Sequence, residues 1–249
     1  MQRNHVAMNS LNDELFNPVL MENIKNVYRK ISSASIRSGR SPFDVKLIAV
    51  TKTVPVEKVQ EAIDLGLRIF GENRVQEAQG KILHLKSHCP ECQFEWHLIG
   101  HLQRNKAKAA VELFDLIHTV DSIKLAEELN KHAVKEGKMQ RILIQVKLAQ
   151  EETKHGVMKE DLIPLISAVS GMSNLNLEGF MTMPPFFDNP QKARPYFKEL
   201  NNLRDEVVVK SACRLPELSM GMTNDYEEAI LEGATMVRIG TAIFGERRE

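Results

Sequence analysis

The sequence lacks the charge imbalance, the paired cysteines and the long apolar runs that mark several classes of protein. Its 33 basic and 33 acidic residues cancel to a formal charge of zero, so composition indicates neither a nucleic-acid partner nor a membrane partner. Three cysteines, an odd number, give no disulfide framework. We see no signal-peptide core near the N-terminus and no run long enough to span a bilayer, and we therefore expect a cytoplasmic protein.

Nucleotide-binding glycine motifs are also missing. A doubly wound dinucleotide-binding sheet usually carries Gly-x-Gly-x-x-Gly after an early strand, and neither that turn nor a Walker P-loop occurs. Metal-binding patterns are weak as well. Cys89 and Cys92 lie near His84 and His88, but no second ligand cluster follows, so we predict a reduced loop and no metal site.

The chain alternates strand-like and helix-like segments. Eight such units in 249 residues predict an α/β fold with a single (β/α)8 barrel, with the open doubly wound sheet as the alternative. We assign residues 46–245 to the barrel and residues 1–40 to a leading tail and an extra helix, all in one domain (1–249). Strand-like runs are 46–51, 68–70, 95–99, 116–120, 141–148, 177–182, 217–220 and 236–239, and helix-like segments are 12–38, 56–65, 75–85, 106–113, 122–136, 159–169, 190–209 and 224–232.

Lys52 is the most informative residue, because it follows the apolar first strand at its carboxyl end. The carboxyl ends of barrel strands are where such folds place their chemistry. An ammonium group is costly to bury, and a neutral amine can form a Schiff base with an aldehyde. Lys52 is therefore the candidate for covalent binding of a ligand.

Two neighbouring turns after the last two strands combine glycine with hydroxyl groups. The first contains Ser219, Gly221 and Thr223, and the second contains Gly240 and Thr241. Loops after strands seven and eight are the usual phosphate site of such barrels, so we favour a phosphate there. Ordinary helix capping by Thr223 or Asn224 is the alternative for the first turn.

Arg238 lies within the apolar eighth strand and must have a partner. A salt bridge would suffice, but a guanidinium could instead donate to a ring nitrogen and keep that nitrogen unprotonated. An amine for an aldehyde, a phosphate cradle and a cationic donor across a ring together match pyridoxal 5′-phosphate (PLP).

Several long motifs resemble the PLP homeostasis proteins, which are similar in fold to the barrel domain of alanine racemase. They are LIAVTKTVP (47–55), FGENRVQEAQGK (70–81), WHLIGHLQRNKAK (96–108), VDS (120–122), GFMTMPP (179–185), LSMGMTNDYEEAI (218–230) and TMVRIGTAIFG (235–245). Lys147 stands where the family tends to have asparagine, and Thr223 replaces a more usual serine.

The resemblance implies a role for each matching residue. Lys52 would form the Schiff base, and Arg238 would face the pyridine nitrogen. The phosphate-binding set would be Ser219, Met222 (through its backbone), Thr223, Gly240 and Thr241, and the ring would be lined by Asn73 and His97.

The resemblance also favours a non-catalytic carrier that buffers PLP and could pass it to apo-enzymes. Racemisation needs a base on each face of the cofactor, and alanine racemase takes the second from a tyrosine of an additional β domain. We expect no such domain here, and Tyr28, Tyr196 and Tyr226 all fall in helix-like segments. We therefore expect a monomer, with a weakly active amino-acid racemase or non-covalent binding of another phosphorylated ligand as the alternatives.

Overall fold

The computed structural model describes residues 17–89, 91–149, 155–211 and 213–246. Eight parallel strands close into a barrel in chain order, so the predicted (β/α)8 fold is confirmed and the open sheet is wrong. The strands are β1 (Lys46–Val50), β2 (Ile69–Glu72), β3 (Glu95–Leu98), β4 (Leu116–Val120), β5 (Gln140–Gln145), β6 (Leu175–Met181), β7 (Glu217–Met222) and β8 (Met236–Ile239).

The helices surround this barrel. They are α1 (Pro18–Arg37), α2 (Val56–Asp64), α3 (Val75–His88), α4 (Ala107–Leu113), α5 (Ile123–Lys135), α6 (Lys159–Ser170), α7 (Arg194–Ser211), α8 (Tyr226–Leu231) and α9 (Thr241–Phe244), with 3₁₀ turns at Pro42–Asp44, Arg104–Lys106 and Pro190–Ala193. The sequence predicts only a short turn where α9 forms. Among the described residues, no helix is both long and apolar enough to cross a membrane.

The barrel closes where the first strand meets the last. Residues Lys46 to Ala49 of β1 pair in parallel with Met236 to Ile239 of β8. Because successive side chains of a strand alternate between its two faces, Ile48 and Met236 point into the barrel, where both are fully buried. The closure places the loops after β1 and β8 side by side.

The predicted leading helix is present as α1, and part of its predicted start (12–16) lies outside the described residues. Asn17 caps it by accepting the backbone N–H groups of Val19 and Leu20. Leu20, Ile24 and Val27 are buried at helical spacing, so one face of α1 joins the core. The Asn23 amide donates to the carbonyl of Ile243 at 3.0 Å, which ties α1 to the end of the barrel.

Two local expectations are wrong. β5 ends at Gln145 rather than at 148: Val146 still donates its N–H to the carbonyl of Met181 at 2.8 Å, but its bridge to Val157 lies outside the named strands. Cys89 and Cys92 form a disulfide instead of a reduced loop. The turn that ends α3 brings their Cα atoms to 5.3 Å, which lies within the normal range for a disulfide.

Candidate functional site

Lys52, Gly240 and Thr241 line one cleft at the carboxyl end of the barrel. Ala49 pairs with Ile239, so the loops that follow β1 and β8 leave the barrel as neighbours. The cleft has a volume of about 850 Å³, within the range of small-molecule sites. Its other lining residues are Val50, Thr53, Val54, Pro55, Lys58, Phe244, Gly245 and Glu246. Three residues predicted from the sequence are therefore brought together.

The turn that carries Lys52 has an unusual backbone conformation at the next residue. Thr53 has φ 63°, and among the described residues it is the one non-glycine with a positive φ. A β-branched residue adopts that conformation only under constraint. Here the constraint comes from Glu77 of α3, whose Oε1 accepts the Thr53 N–H at 2.5 Å.

Lys81 of α3 stabilises the same turn through three hydrogen bonds. Its ammonium donates to the carbonyl of Thr51 at 2.6 Å, to Glu72 Oε1 at 2.8 Å and to Glu77 Oε1 at 2.9 Å. The Thr51 hydroxyl also donates to Glu72, at 2.7 Å. Burial raises the pKa of Glu72, and its contacts with Lys81 oppose that rise. Lys81 of α3, paired with the buried Glu72 of β2 and with Glu77, thus positions the residues on either side of Lys52.

β7 turns sharply at Gly221, next to its carboxyl end. Gly221 has φ 90°, and a Cβ there would lie 2.6 Å from the Cβ of Ala229 and 2.8 Å from the Cα of Tyr226. Only glycine fits both the conformation and the space. The end of β7 can therefore pack directly on α8.

The residue that caps α8 is neither Thr223 nor Asn224, the two candidates from the sequence. The N-cap of α8 is Asp225, and its carboxylate accepts the Met222 N–H at 2.7 Å. Asn224 instead donates to the carbonyl of Phe187 at 2.9 Å. The Met222 amide, predicted as a phosphate ligand, thus already has an internal partner, while Thr223 stands half-buried in the turn.

Arg238 is buried inside the barrel. Its Nη1 donates to Ser219 Oγ at 2.6 Å and its Nη2 to the carbonyl of Thr182 at 3.0 Å. Burial lowers the pKa of Arg238 to about 10, and Asp225 opposes that shift. The guanidinium therefore remains charged at neutral pH, but its partners are a hydroxyl and a carbonyl rather than the carboxylate of a salt bridge.

A chain of buried hydrogen bonds leads from Arg238 across the barrel. Ser219 Oγ lies 2.9 Å from His118 Nδ1, and His118 Nε2 lies 3.1 Å from His97 Nδ1. His97 Nε2 in turn lies 3.1 Å from Glu95 Oε2. Ser219, His97 and His118 are fully buried. We call this chain the barrel relay.

The direction in which hydrogen bonds are donated along the barrel relay follows from Glu95 and from the charge of the two rings. The hydrogen bond from His97 lowers the pKa of Glu95 to about 2, so this carboxylate only accepts. Burial lowers the pKa of His97 and lowers that of His118 further, so both rings are neutral at pH 7. Each ring therefore carries its proton on Nε2 and accepts at Nδ1, and the Ser219 hydroxyl donates to His118.

Arg141 lies at the Glu95 end of the barrel relay. Its Nη1 donates to Glu95 at 2.8 Å and its Nε to Glu178 at 2.9 Å. Burial disfavours the charged form, but Glu178 and Glu95 outweigh burial and raise the pKa of Arg141. A charged guanidinium thus stands at each end of the relay, on Arg141 and on Arg238.

The remaining predicted residues lie apart from the cleft lining in the described part of the chain. Asn73 follows β2 and is half-buried. A Cβ at Gly100 would lie 2.2 Å from the carbonyl oxygen of Asn73, so the loops after β2 and β3 touch backbone to backbone. The polar atoms of His97 and Ser219 bond within the barrel relay. These contacts do not support the predicted contact of His97 with the ring or of Ser219 with the phosphate.

Sequence reasoning missed the residues that support the site. His118 and the Glu77–Lys81 pair received no role, although each carries a readable signal. His118 is a polar residue within the apolar strand LIHTV, and Glu77 and Lys81 have the i, i+4 spacing of an ion pair on a helix.

Comparison with known proteins agrees with this arrangement. Residues 21–248 match the sequence family described as "Alanine racemase, N-terminal domain". The chain therefore belongs to the class of proteins that contain this barrel domain. Alanine racemase from Clostridium difficile 630 superposes with a TM-score of 0.71 at 15% identity, over 93% of this chain and 58% of that one, which shows the fold alone.

Closer relatives identify the family. The pyridoxal phosphate homeostasis protein of Aquifex aeolicus is 44% identical over 227 residues, which cover 91% of this chain and 98% of that protein. The chain belongs to the pyridoxal phosphate homeostasis protein family. A solved structure of PipY from Synechococcus elongatus with PLP bound has a TM-score of 0.79 and 37% identity, over 91% of this chain and 100% of that one.

Proposed function

We propose that this protein binds PLP reversibly through Lys52 and serves as a non-catalytic carrier in PLP homeostasis. The observation that carries the proposal is the cleft shared by Lys52, Gly240 and Thr241 in a chain of this family. When bound, the cofactor supplies an aldehyde, which is the electrophile that a lysine amine requires. The cytoplasmic location expected from the sequence stays part of the proposal.

The residues present fit this cofactor. The Lys52 amine and the turn that begins α9 face one cavity large enough for a ligand of this size. We assign phosphate binding to Thr241 and the backbone at Gly240, with Thr223 from the neighbouring turn. A phosphate needs such hydroxyl and N–H donors.

The positions of Ser219 and His97 support a revised role for these two residues. Ser219 accepts a hydrogen bond from Arg238, and His97 is linked to Ser219 through His118. We propose that they hold the guanidinium in place, so that Arg238 faces the pyridine nitrogen and Asn73 approaches the ring from the loop after β2. A guanidinium hydrogen-bonded to that nitrogen keeps it unprotonated, which weakens the ring as an electron sink.

The placement of the tyrosines supports a carrier rather than a racemase. Tyr28 lies on α1, Tyr196 on α7 and Tyr226 at the start of α8. Tyr226 is buried, and burial raises the pKa of its hydroxyl to about 12, which makes it a poor donor of a proton at neutral pH.

Borohydride reduction tests the covalent link, with Lys58 as the matched control because it lines the same cleft. Reduction of the PLP-loaded protein should fix one cofactor on the peptide that contains Lys52, as read by mass spectrometry. Lys52→Ala should lose this mass shift, and Lys58→Ala should keep it. Attachment that survives in Lys52→Ala would overturn the assignment.

Two further assays separate the carrier from its alternatives. Racemisation of alanine or serine at about 1 s⁻¹ or faster would favour the racemase. A carrier should instead restore activity to an apo-aminotransferase when the loaded protein is mixed with it. Sedimentation of the loaded protein tests the proposed monomer.

A further inference from the structure

Three potential metal ligands meet at the mouth of the barrel, on loops that the proposed PLP cleft does not use. His101 follows β3, Asp121 follows β4, and His155 lies between β5 and α6. Because the carboxyl ends of neighbouring parallel strands open onto the same face, these three loops lie side by side.

The side chains are close enough to share one ion. Each of the three residues offers one ligand atom, and these atoms lie within 4.8 Å of one another. Nδ1 of His101 lies 3.6 Å from Oδ2 of Asp121. Two ligand atoms on a tetrahedral zinc ion lie roughly 3.3 Å apart, given metal–ligand distances of about 2.0–2.1 Å. Closing the site therefore requires these separations to shorten by at most about 1.5 Å.

The two imidazole rings are stacked, with centroids 3.6 Å apart and planes within 10°. In this stack the ring nitrogens of His101 and His155 face the same region, but binding one ion requires the rings to rotate out of parallel. Both residues are solvent-exposed, so packing does not block the rotation.

The backbone next to each histidine is anchored. Gln145 Nε2 donates to the carbonyl of His155 at 2.8 Å, and Thr119 Oγ1 donates to the carbonyl of Gly100, just before His101, at 2.8 Å. Ligands on fixed backbone lose less freedom when an ion binds, which favours binding.

The chemistry of the donors selects the ion. Neutral imidazole and carboxylate together suit zinc and its neighbours among the divalent transition metals, whereas calcium and magnesium prefer oxygen ligands alone.

We propose that His101, Asp121 and His155 bind one divalent transition-metal ion, with Zn²⁺ as the ion of choice. The ion joins the loops after β3, β4 and β5 and keeps a fourth position open for water or a ligand. This departs from the sequence prediction of no metal, which rested on Cys89 and Cys92 and the histidines before them.

Calorimetric titration of the PLP-loaded protein with Zn²⁺, without reductant, tests the proposal. The matched control is His84→Gln/His88→Gln, because these two histidines are also stacked, at 4.0 Å, but lie on α3. We expect one ion per chain in the wild type and in this control. His155→Gln and Asp121→Asn should each weaken binding by about tenfold or more, since a lost ligand costs at least as much as a lost supporting contact.

Thermal unfolding supplies an independent reading. Zn²⁺ should raise the melting temperature of the wild type and of the α3 control, and it should raise that of His155→Gln and Asp121→Asn much less. Absence of one-to-one binding, its loss in the α3 control, or its persistence in both site variants would each overturn the proposal.

Discussion

Nδ1 of His97 and Nε2 of His118 lie 3.1 Å apart inside the barrel, so a single proton joins two buried imidazoles. That contact makes the hydrogen bonding between Arg238 and Glu95 continuous. The orientation of the guanidinium proposed to face the cofactor thus depends on side chains on the other side of the barrel.

The tautomers of the two histidines can be observed directly. We expect His97 and His118 to be neutral at pH 7, with the proton on Nε2 and an unprotonated Nδ1 in each ring, because Glu95 can only accept. Long-range ¹H–¹⁵N NMR spectra distinguish the two nitrogens. A proton on Nδ1 of either ring, or an imidazolium signal, would contradict the deduced direction of the relay.

The same two rings should make folding sensitive to mild acid. Burial lowers the pKa of His97 and His118 below the unfolded value of about 6.5, so the unfolded chain binds more protons there. The free energy of unfolding should therefore be highest above pH 6.5 and fall as the pH drops. The slope approaches about 1.4 kcal/mol per pH unit for each ring.

Urea unfolding at pH 7.0 and pH 5.5 measures this loss. His118→Asn removes one of the two titrating rings, so its stability should depend less steeply on pH. Equal or greater stability at the lower pH in the wild type would show that the rings are not held neutral.

Ser219→Ala tests whether the serine supports Arg238. Its hydroxyl is the partner of both Arg238 Nη1 and His118 Nδ1, so its removal leaves two buried polar groups unsatisfied. At about 1–3 kcal/mol for each group, we expect a loss of about 2–6 kcal/mol in unfolding free energy. Ser87→Ala, which removes an exposed hydroxyl on α3, should change stability by less than about 0.5 kcal/mol.

Lys81→Met tests the support beneath the Lys52 turn. The substitution leaves Glu72 buried without its cation, which should cost about 3–5 kcal/mol in unfolding free energy. Lys108→Met is the control, because Lys108 forms an exposed pair with Glu112 that contributes little. If both variants unfold at the same urea concentration, the Lys81–Glu72 ion pair does not support the turn.

Two glycine substitutions should have opposite effects. Gly221→Ala forces a Cβ into contact with Ala229 and Tyr226 at a positive φ, and we expect a loss of more than about 1 kcal/mol together with weaker PLP binding. Gly80→Ala, in open space on α3, should stabilise by about 0.5–1 kcal/mol. Thermal unfolding and PLP titration of both proteins give the comparison.

The fold was largely predictable because its signals are local. Apolar strands alternate with amphipathic helices, and β4 and β8 begin and end where the pattern predicts. The cleft residues Lys52, Gly240 and Thr241 were also predictable, since each directly follows a strand whose end is clear in the sequence.

The inward position of Ser219 could not be predicted from the sequence because it depends on where β7 ends. The sequence predicts an end at 220, whereas the strand continues to Met222, which leaves Ser219 in the middle of the strand and turned inward. The relay itself joins side chains from four different strands, and such long-range contacts have no signature in spacing along the chain.

The pairing of β1 with β8 has a consequence for when the protein gains its binding capacity. Lys52 and the turn at Gly240 are far apart along the polypeptide and become neighbours only when the barrel closes. A chain whose β8 has not yet docked holds the proposed nucleophile without its proposed phosphate-binding turn, so we expect vitamin capture to begin only after closure.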